Sequence, residues 1–167
     1  MKKNVEENLK TAFAGESQAH LKYQAFADKA ESDKLPNVAR LFRANSFSEQ
    51  RHASNHLQTL GGVGKTLDNL KAALEGETYE VTKMYPEFIR VADEQKEKEA
   101  AMMNRRAMAA EKVHASLYQK AIMGLEKGTD LDTTPIHVCG VCGFTVEGEA
   151  PDKCPICGAP KAMFKRF

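Results

Sequence analysis

The chain has 167 residues, a net charge of +1 and a mean hydropathy of −0.50. This charge excludes the broad basic face of nucleic-acid-binding proteins, and no apolar run reaches the ~20 residues that a membrane span needs. The N-terminal lysines are not followed by an apolar segment, so the start of the chain does not resemble a secretory signal. We therefore expect a cytoplasmic protein that binds neither nucleic acid nor membrane.

Two helices are predicted in the first part of the chain. Apolar residues recur at close to 3.6-residue spacing over about 4–31, and again over about 37–60. Pro36 suits the first turn of the second helix, and the glycine-rich stretch 61–64 ends it. The short connection between these helices predicts a helical hairpin.

A second hairpin follows. Thr66 opens a short helical piece, which is followed by a third long helix over about 77–93 that Pro86 should kink. A tight turn near 93–95 leads to a fourth helix over about 96–127. The four long helices predict an all-α, ferritin-like four-helix bundle, which with its polar linker covers residues 1–134.

The remaining segment, residues 135–167, differs in composition. It contains Gly, Pro, short β-like runs and all four cysteines of the chain. The cysteines form two Cys-x-x-Cys-Gly motifs, which predict one tetrahedral metal site and not disulfides. A segment this short needs such a metal in order to fold, and spacing alone leaves zinc and iron open. The predicted ligands are Cys139, Cys142, Cys154 and Cys157.

The helices carry two copies of Glu-x-x-His, at Glu49–His52 and at Glu111–His114. Residues three apart in an α-helix differ by ~60° around the axis and by ~4.5 Å along it. Both side chains therefore project to the same side and can share one metal ion. Two such pairs that face each other predict a dinuclear metal site.

Two further glutamates complete the predicted ligand set. With the turns placed near residues 34 and 94, Glu16, Glu49, Glu80 and Glu111 all lie ~21–27 Å from a turn. The spacing also repeats, because 33 residues separate Glu16 from Glu49 and 31 separate Glu80 from Glu111. Two divalent ions balance four carboxylates, and oxygen-rich ligation with one imidazole per ion favours iron or manganese.

Other residues on these helices have less specific roles. His20 and His56 share a face with ligands, and we expect them behind the site or at the surface. Tyr23 and Tyr118 return to the ligand face, where a hydroxyl could donate to a carboxylate, although a core tyrosine fits equally well. We expect Glu77 to be a surface residue, which is the usual place of a single helical glutamate.

With these motifs in place, the chain resembles the rubrerythrins over nearly its whole length. The resemblance is carried by the motifs above together with Ala12–Ala19, Gly76-Glu77-x-x-Glu80, Met84-Tyr85-Pro86 and Ala159-Pro160-Lys161. It implies a ferritin-like bundle with a non-haem di-iron site, a rubredoxin-like Fe(Cys)₄ domain and a peroxidase activity that reduces hydrogen peroxide to water in oxidative-stress defence.

The resemblance also implies roles for individual residues. The di-iron ligands would be Glu16, Glu49, His52, Glu80, Glu111 and His114. Glu49 and Glu111 would bridge the irons. Tyr23 is our own candidate for the proton donor, because of its position on the ligand face. Iron is favoured in the Cys₄ site, with zinc as a substitute. Electrons would come from an external donor such as a rubredoxin or its reductase. A homodimer is expected, and the exchange of helices between subunits is left open.

One position departs from the family pattern. Rubrerythrins usually carry another Glu three residues after the one that matches Glu80, in the pattern Glu-x-x-Glu-Met-Tyr-Pro, and here that position is Lys83. In the family this extra Glu is thought to exchange with the histidine of the first Glu-x-x-His. A protonated lysine cannot bind a metal ion, so either Lys83 turns to solvent or the exchange is altered.

Two other classes of function stay open. One is a ferritin-like protein for iron handling or ferroxidation, in which the Cys₄ module has a structural role alone. The other is a redox-sensing or electron-transfer protein that turns over no peroxide. Metal content and the reaction of reduced protein with peroxide distinguish these classes.

Overall fold

The computed structural model describes residues 1–167. The chain divides into two compact units, Met1–Gly64 and Lys65–Phe167. The domain boundary predicted between residues 134 and 135 lies inside the second unit and stays a prediction. None of the helices combines the length and the apolar character that crossing a bilayer requires.

The first unit is a helical hairpin. Helix α1 spans Lys3–Ser32 and helix α2 spans Pro36–Thr59, which confirms both predicted helices to within two residues. Pro36 occupies the first turn of α2, where its missing N–H costs no helical hydrogen bond. Lys34 lies in the connection with a φ of +60°, a left-handed conformation that closes helix C-termini.

Small residues let α1 and α2 approach closely. Ala27, Ala30 and Ala39 are at most 6 % exposed and form the core of the hairpin, with Phe42 packed against them. Alanine brings the helix backbones together at little cost in side-chain entropy. Phe26 meets Phe42 edge-on, with ring centroids 5.6 Å apart. This end of the hairpin is thus held by apolar contacts.

A polar contact ties the same two helices nearer their middle. Ser46 is 2 % exposed, and its hydroxyl donates to the carbonyl oxygen of His20 over 2.9 Å. In return, Nδ1 of His20 lies 2.9 Å from the carbonyl oxygen of Ser46 and can donate to it. His20 therefore has a structural role between α1 and α2.

The second unit begins with a helix that changes its pitch. Helix α3 spans Thr66–Tyr79 and runs through Gly76, so our prediction of a separate helix from about residue 77 is wrong. A π-helical turn covers Glu80–Met84, and α4 follows at Tyr85–Glu94. The break comes from this turn, and Pro86 sits in the first turn of α4. Such single π turns are frequent at functional sites.

Helix α5 spans Lys98–Glu126 and packs along both α3 and α4. Because α3, the π-helical turn and α4 follow one another without a gap, the chain has four long helical segments, as predicted. A small sheet completes the second unit. Strands β1 (Ile136–Cys139), β2 (Thr145–Glu147) and β3 (Phe164–Arg166) pair antiparallel in the order β2-β1-β3. The predicted fold class, helical with a small β-rich segment at the C-terminus, is confirmed.

Candidate metal centres

The first unit contains a cluster of three candidate ligands. Glu16 projects from α1, and Glu49 and His52 project from α2, with potential ligand atoms within 4.8 Å of one another. Nδ1 of His52 lies 2.9 Å from Oε2 of Glu49 and 3.8 Å from Oε1 of Glu16. The structure thus brings together the three residues that the spacing predicted for this hairpin.

The second unit contains a cluster of the same composition. Glu77 of α3 joins Glu111 and His114 of α5, again within 4.8 Å. Nδ1 of His114 lies 2.6 Å from Oε2 of Glu111 and 3.8 Å from Oε1 of Glu77. These distances match those of the first cluster, so Glu77 occupies the position that corresponds to Glu16.

Glu77 is the residue that sequence reasoning missed. Its side chain is 18 % exposed, so the expectation of a surface residue is wrong. Glu80, predicted as the fourth carboxylate, lies outside the three-residue cluster but close enough for the charges of Glu111 and His114 to act on its pKa. Its assignment as a direct ligand stays a prediction.

The turn position explains the difference. The second hairpin turns at Lys96, whose φ of +62° matches the +60° of Lys34. Glu111 then lies 15 residues after its turn, as Glu49 does after Lys34. Glu16 lies 18 residues before Lys34, and the same offset before Lys96 leads to position 78. The π-helical turn lies between this position and Lys96 and accommodates about one extra residue, which moves the match to position 77. The matching glutamate is therefore Glu77.

Electrostatics favours a cation in each cluster. Burial and a hydrogen bond with Glu111 raise the pKa of Glu77 to about 7. A hydrogen bond with Glu49, and then burial, raise the pKa of Glu16, while the same bond lowers the pKa of Glu49. In each cluster, one carboxyl group thus resists ionisation beside the other, at a place where a metal ion would balance the charges of both.

The donor atoms also fit iron. Oε2 of Glu77 is buried and has no hydrogen-bond partner, so it is free to coordinate an ion. Two carboxylates and one imidazole per cluster form an oxygen-rich ligand set that suits iron or manganese. The residues present therefore fit the metal ions that the sequence analysis predicted.

Two neighbours extend the second cluster. Burial, and then the negative charges of Glu80, Glu111 and Glu77, raise the pKa of Tyr85, so its hydroxyl holds its proton beside these carboxylates. Sequence reasoning quoted Tyr85 without giving it a role. Lys83 is exposed and forms no ion pair. Its side chain thus turns to solvent and does not neutralise the charge of the carboxylates.

Tyr23 has different surroundings. Its ring packs 6.3 Å from the ring of Phe26 and 6.2 Å from that of Phe42, measured between centroids. The hydroxyl makes no hydrogen bond within the chain, which favours the core role that the sequence left open for it. Its role as a proton donor stays a prediction.

The four cysteines come together in the sheet region. All four Sγ atoms lie within 4.8 Å of one another, and none forms a disulfide. The Sγ atoms of Cys139 and Cys157 are 3.7 Å apart, and those of Cys142 and Cys154 are 3.5 Å apart. Metal–sulfur bonds of ~2.3 Å in a tetrahedron place the sulfur atoms ~3.8 Å apart. The arrangement therefore fits one tetrahedral ion.

The backbone of the second motif favours a thiolate at Cys154, whereas burial raises the pKa of Cys142 in the first motif to about 12. Gly143 and Gly158 have φ angles of +77° and +76°, which glycine adopts without strain. Burial raises the pKa of Cys154, but N–H groups of Cys157 and Ile156 donate to its sulfur and outweigh burial, so its pKa falls to about 7. Hydrogen bonds of this kind stabilise negative charge on a ligand sulfur.

Two family models match this chain. The rubrerythrin model matches residues 7–122, and the model of the rubredoxin-like domain of rubrerythrin matches residues 137–165. The first match covers the helices with both carboxylate clusters, and the second covers the cysteine motifs.

Individual relatives match over nearly their full length. Rubrerythrin-2 of Clostridium acetobutylicum is 39 % identical over 95 % of this chain and 94 % of its own. Nigerythrin of Nitratidesulfovibrio vulgaris is 35 % identical over 96 % of this chain and 85 % of its own. Solved structures of nigerythrin in its mixed-valence and fully reduced, all-ferrous states each superpose with a TM-score of 0.56 at 36 % identity, covering 97 % of this chain and 86 % of theirs.

Proposed function

Because this chain belongs to the rubrerythrin family, we propose that it is a non-haem di-iron peroxidase that reduces hydrogen peroxide to water. The observation that carries the proposal is the pair of matching Glu–Glu–His clusters in a chain that also carries a Cys₄ site. Reduction of peroxide to water needs two electrons and two protons. When bound, iron in the clusters supplies the two electrons that break the O–O bond, and iron in the Cys₄ site supplies replacements one at a time.

We assign the ligands from the geometry of the two clusters. The di-iron ligands would be Glu16, Glu49 and His52 of the first cluster and Glu77, Glu111 and His114 of the second, with Glu49 and Glu111 as the bridging pair. Glu80 lies three residues after Glu77 and would be an additional carboxylate of the second cluster. Lys83 stands directly before Met84-Tyr85-Pro86, where the family pattern Glu-x-x-Glu-Met-Tyr-Pro has its second Glu.

The side chains around the clusters have definable tasks. The carboxylates balance the charge of two divalent ions, and each imidazole adds a neutral donor. Tyr85 keeps a protonated hydroxyl beside three glutamates and is a proton source for the leaving oxygen. Burial, and then the negative charge of Glu111, raise the pKa of Glu80 above its ordinary value.

The assembly and partners are part of the same proposal. We place the protein in the cytoplasm, as a homodimer that could exchange helices between its subunits. The di-iron domain would comprise residues 1–134 and the rubredoxin-like domain residues 135–167. An external donor such as a rubredoxin or its reductase would deliver electrons to the Cys₄ iron.

Anaerobic stopped-flow spectroscopy tests this function. Fully reduced protein mixed with one equivalent of hydrogen peroxide should lose two electrons from the carboxylate-bound irons quickly and release no iron. Protein with zinc in the Cys₄ site is the matched control, because it should undergo the same first oxidation but fail to be reduced again by the donor. Slow oxidation by peroxide, with faster oxidation by dioxygen and uptake of further iron, would refute the peroxidase and favour iron handling.

A further inference from the structure

The two nitrogen atoms of His114 face different parts of the second unit. Nδ1 lies 2.6 Å from Glu111 and 3.8 Å from Glu77, the two carboxylates of its cluster. Nε2 points the other way, 2.9 Å from Oγ1 of Thr145 and 3.3 Å from the carbonyl oxygen of Gly143. Thr145 and Gly143 belong to the cysteine-bearing segment. A candidate ligand of one metal site is therefore in direct contact with the other.

Donor and acceptor rules determine where the hydrogens lie. The carbonyl oxygen of Gly143 can only accept, and it receives the hydroxyl hydrogen of Thr145 over 3.0 Å. The oxygen of Thr145 is then left as an acceptor toward His114. Both oxygens that face Nε2 are thus acceptors, so Nε2 carries a hydrogen. In the neutral ring this leaves the lone pair on Nδ1, which is the atom that faces the two carboxylates.

The position of Thr145 is set by the cysteine motif. Thr145 is 8 % exposed and pairs with Val138 across the sheet. The N–H of Gly143 donates to the carbonyl oxygen of Cys139 over 2.9 Å, and the N–H of Cys139 donates to that of Phe144 over 2.8 Å. These bonds connect the backbone beside two metal-binding cysteines to the residue next to Thr145. A second link to α5 is the ion pair of Lys120 and Glu147, at 2.7 Å.

The corresponding histidine of the first unit has no such support within its unit. His52 has the same surroundings at Nδ1, but its Nε2 makes no hydrogen bond, and its side chain is 53 % exposed against 26 % for His114. The contacts of Nε2 thus distinguish two clusters that are otherwise closely matched.

We propose that Thr145 is a positioning residue for the carboxylate metal centre. Its buried hydroxyl, carried by the cysteine-bearing segment, holds the imidazole of His114 in the tautomer and orientation that present Nδ1 to the metal ion. This inference rests on the proposed function, since it takes His114 as a ligand. It follows that metal binding at the four cysteines, which orders the segment, strengthens metal binding at His114.

Two substitutions at one position test the role of the hydroxyl. Thr145→Val keeps the β-branched shape that suits strand β2 and removes only the hydroxyl, whereas Thr145→Ser keeps the hydroxyl. Full-length proteins with zinc in the Cys₄ site would be titrated with Zn²⁺ by calorimetry. Loss of an outer hydrogen-bond partner of a metal-binding histidine weakens metal binding ~10–100-fold, so we expect Thr145→Val to bind at least ~10-fold more weakly at its carboxylate site. Thr145→Ser should stay within ~2-fold of wild type.

A control variant and a spectroscopic measurement distinguish a positioning role of Thr145 from a general effect on protein stability. Glu147→Gln breaks the other link between α5 and β2 but leaves Thr145 in place, so it should lower the melting temperature without weakening Zn²⁺ binding. Nitrogen-15 NMR of the zinc-loaded wild type should show Nδ1 of His114 coordinated and Nε2 carrying a slowly exchanging hydrogen. This spectrum is decisive even where Thr145→Val folds poorly.

Two results would overturn the inference alone. One is Zn²⁺ binding by Thr145→Val as tight as that of wild type, and the other is a spectrum in which Nε2 is the coordinating atom. Wild-type protein that binds no Zn²⁺ at its carboxylate clusters would instead refute the proposed metal centre and, with it, the role of Thr145.

Discussion

Replacing Glu77 with glutamine should stabilise the metal-free protein and weaken metal binding. In the metal-free state the Glu77 carboxyl group lies beside Glu111, and burial and this contact raise its pKa from 4.5 to about 7. Ionised Glu77 is therefore unfavourable in the fold, and a neutral amide of the same shape removes the penalty. With metal bound, the same substitution removes a ligand, so it should lower the stability of the protein instead of raising it.

The pKa gives the size of the first effect. A shift from 4.5 to about 7 corresponds to roughly 3 kcal/mol at a pH above both values, as an upper limit for a group beside a second carboxyl group. The folded state binds more protons than the unfolded state between these values, so the stability of the metal-free wild type should fall as pH rises from 4.5 to about 7. Glu77→Gln lacks this part of the pH dependence. Glu77→Gln should weaken metal binding by more than the ~10–100-fold seen when a residue that only hydrogen-bonds a metal ligand is lost.

Urea unfolding and metal titration of the same samples measure both effects. Metal-free wild type and Glu77→Gln should have similar free energies of unfolding near pH 4.5 and should diverge by pH 8, with the variant more stable. A variant that is less stable without metal at pH 8, or that keeps full iron affinity, would refute the assignment of Glu77 as a buried ligand. Glu87→Gln is the matched control, because this exposed residue of α4 lies outside the cluster and should leave metal affinity unchanged.

Four further substitutions test the carboxylate clusters, the Cys₄ site and the contact between α1 and α2. Lys83→Glu should change iron content and the rate of oxidation by peroxide less than ~2-fold, because the side chain is exposed. Glu80→Gln should slow that oxidation. Equal stopped-flow rates for the two variants would contradict the assignment of Glu80 as the additional carboxylate. Cys154→Ser should remove the Cys₄ metal and with it the order of the small sheet, seen as rapid amide hydrogen exchange in residues 136–166; protection like that of wild type would show that the sheet folds without metal. Ser46→Ala should lower the free energy of unfolding by ~1 kcal/mol by removing the bond to His20, and an unchanged melting temperature would show that this contact adds nothing.

The local elements of the fold could be predicted from the sequence because short-range rules govern them. Helices α1 and α2 begin and end within two residues of their predicted limits. The Cys-x-x-Cys-Gly motifs form their knuckles because glycine at each left-handed position needs no partner elsewhere in the chain. The pairing of glutamate and histidine in Glu49–His52 and in Glu111–His114 depends only on the pitch of one helix.

The lone glutamate of the second hairpin could not be chosen by the same means. The level of this glutamate along the hairpin depends on where the chain turns and on whether the helix keeps a constant pitch. Placing the turn near residue 94 favours Glu80, whereas the observed turn at Lys96 and the π-helical turn at Glu80–Met84 favour Glu77. The offset of Glu16 from the left-handed Lys34, applied to the left-handed Lys96, leads to position 78, next to Glu77, but a lysine carries no strong signal for that conformation.

The sequence by itself determined that this chain carries two Glu-x-x-His pairs and two Cys-x-x-Cys-Gly motifs, because each of these features arises within a few consecutive residues. Only the tertiary structure decided which carboxylate of the third helical segment joins Glu111 and His114, and which groups hold the far side of the His114 ring. Thr145 lies 31 residues from His114 along the chain, and no local rule predicts a hydrogen bond over that separation. Packing of the cysteine-bearing segment against α5 creates that contact.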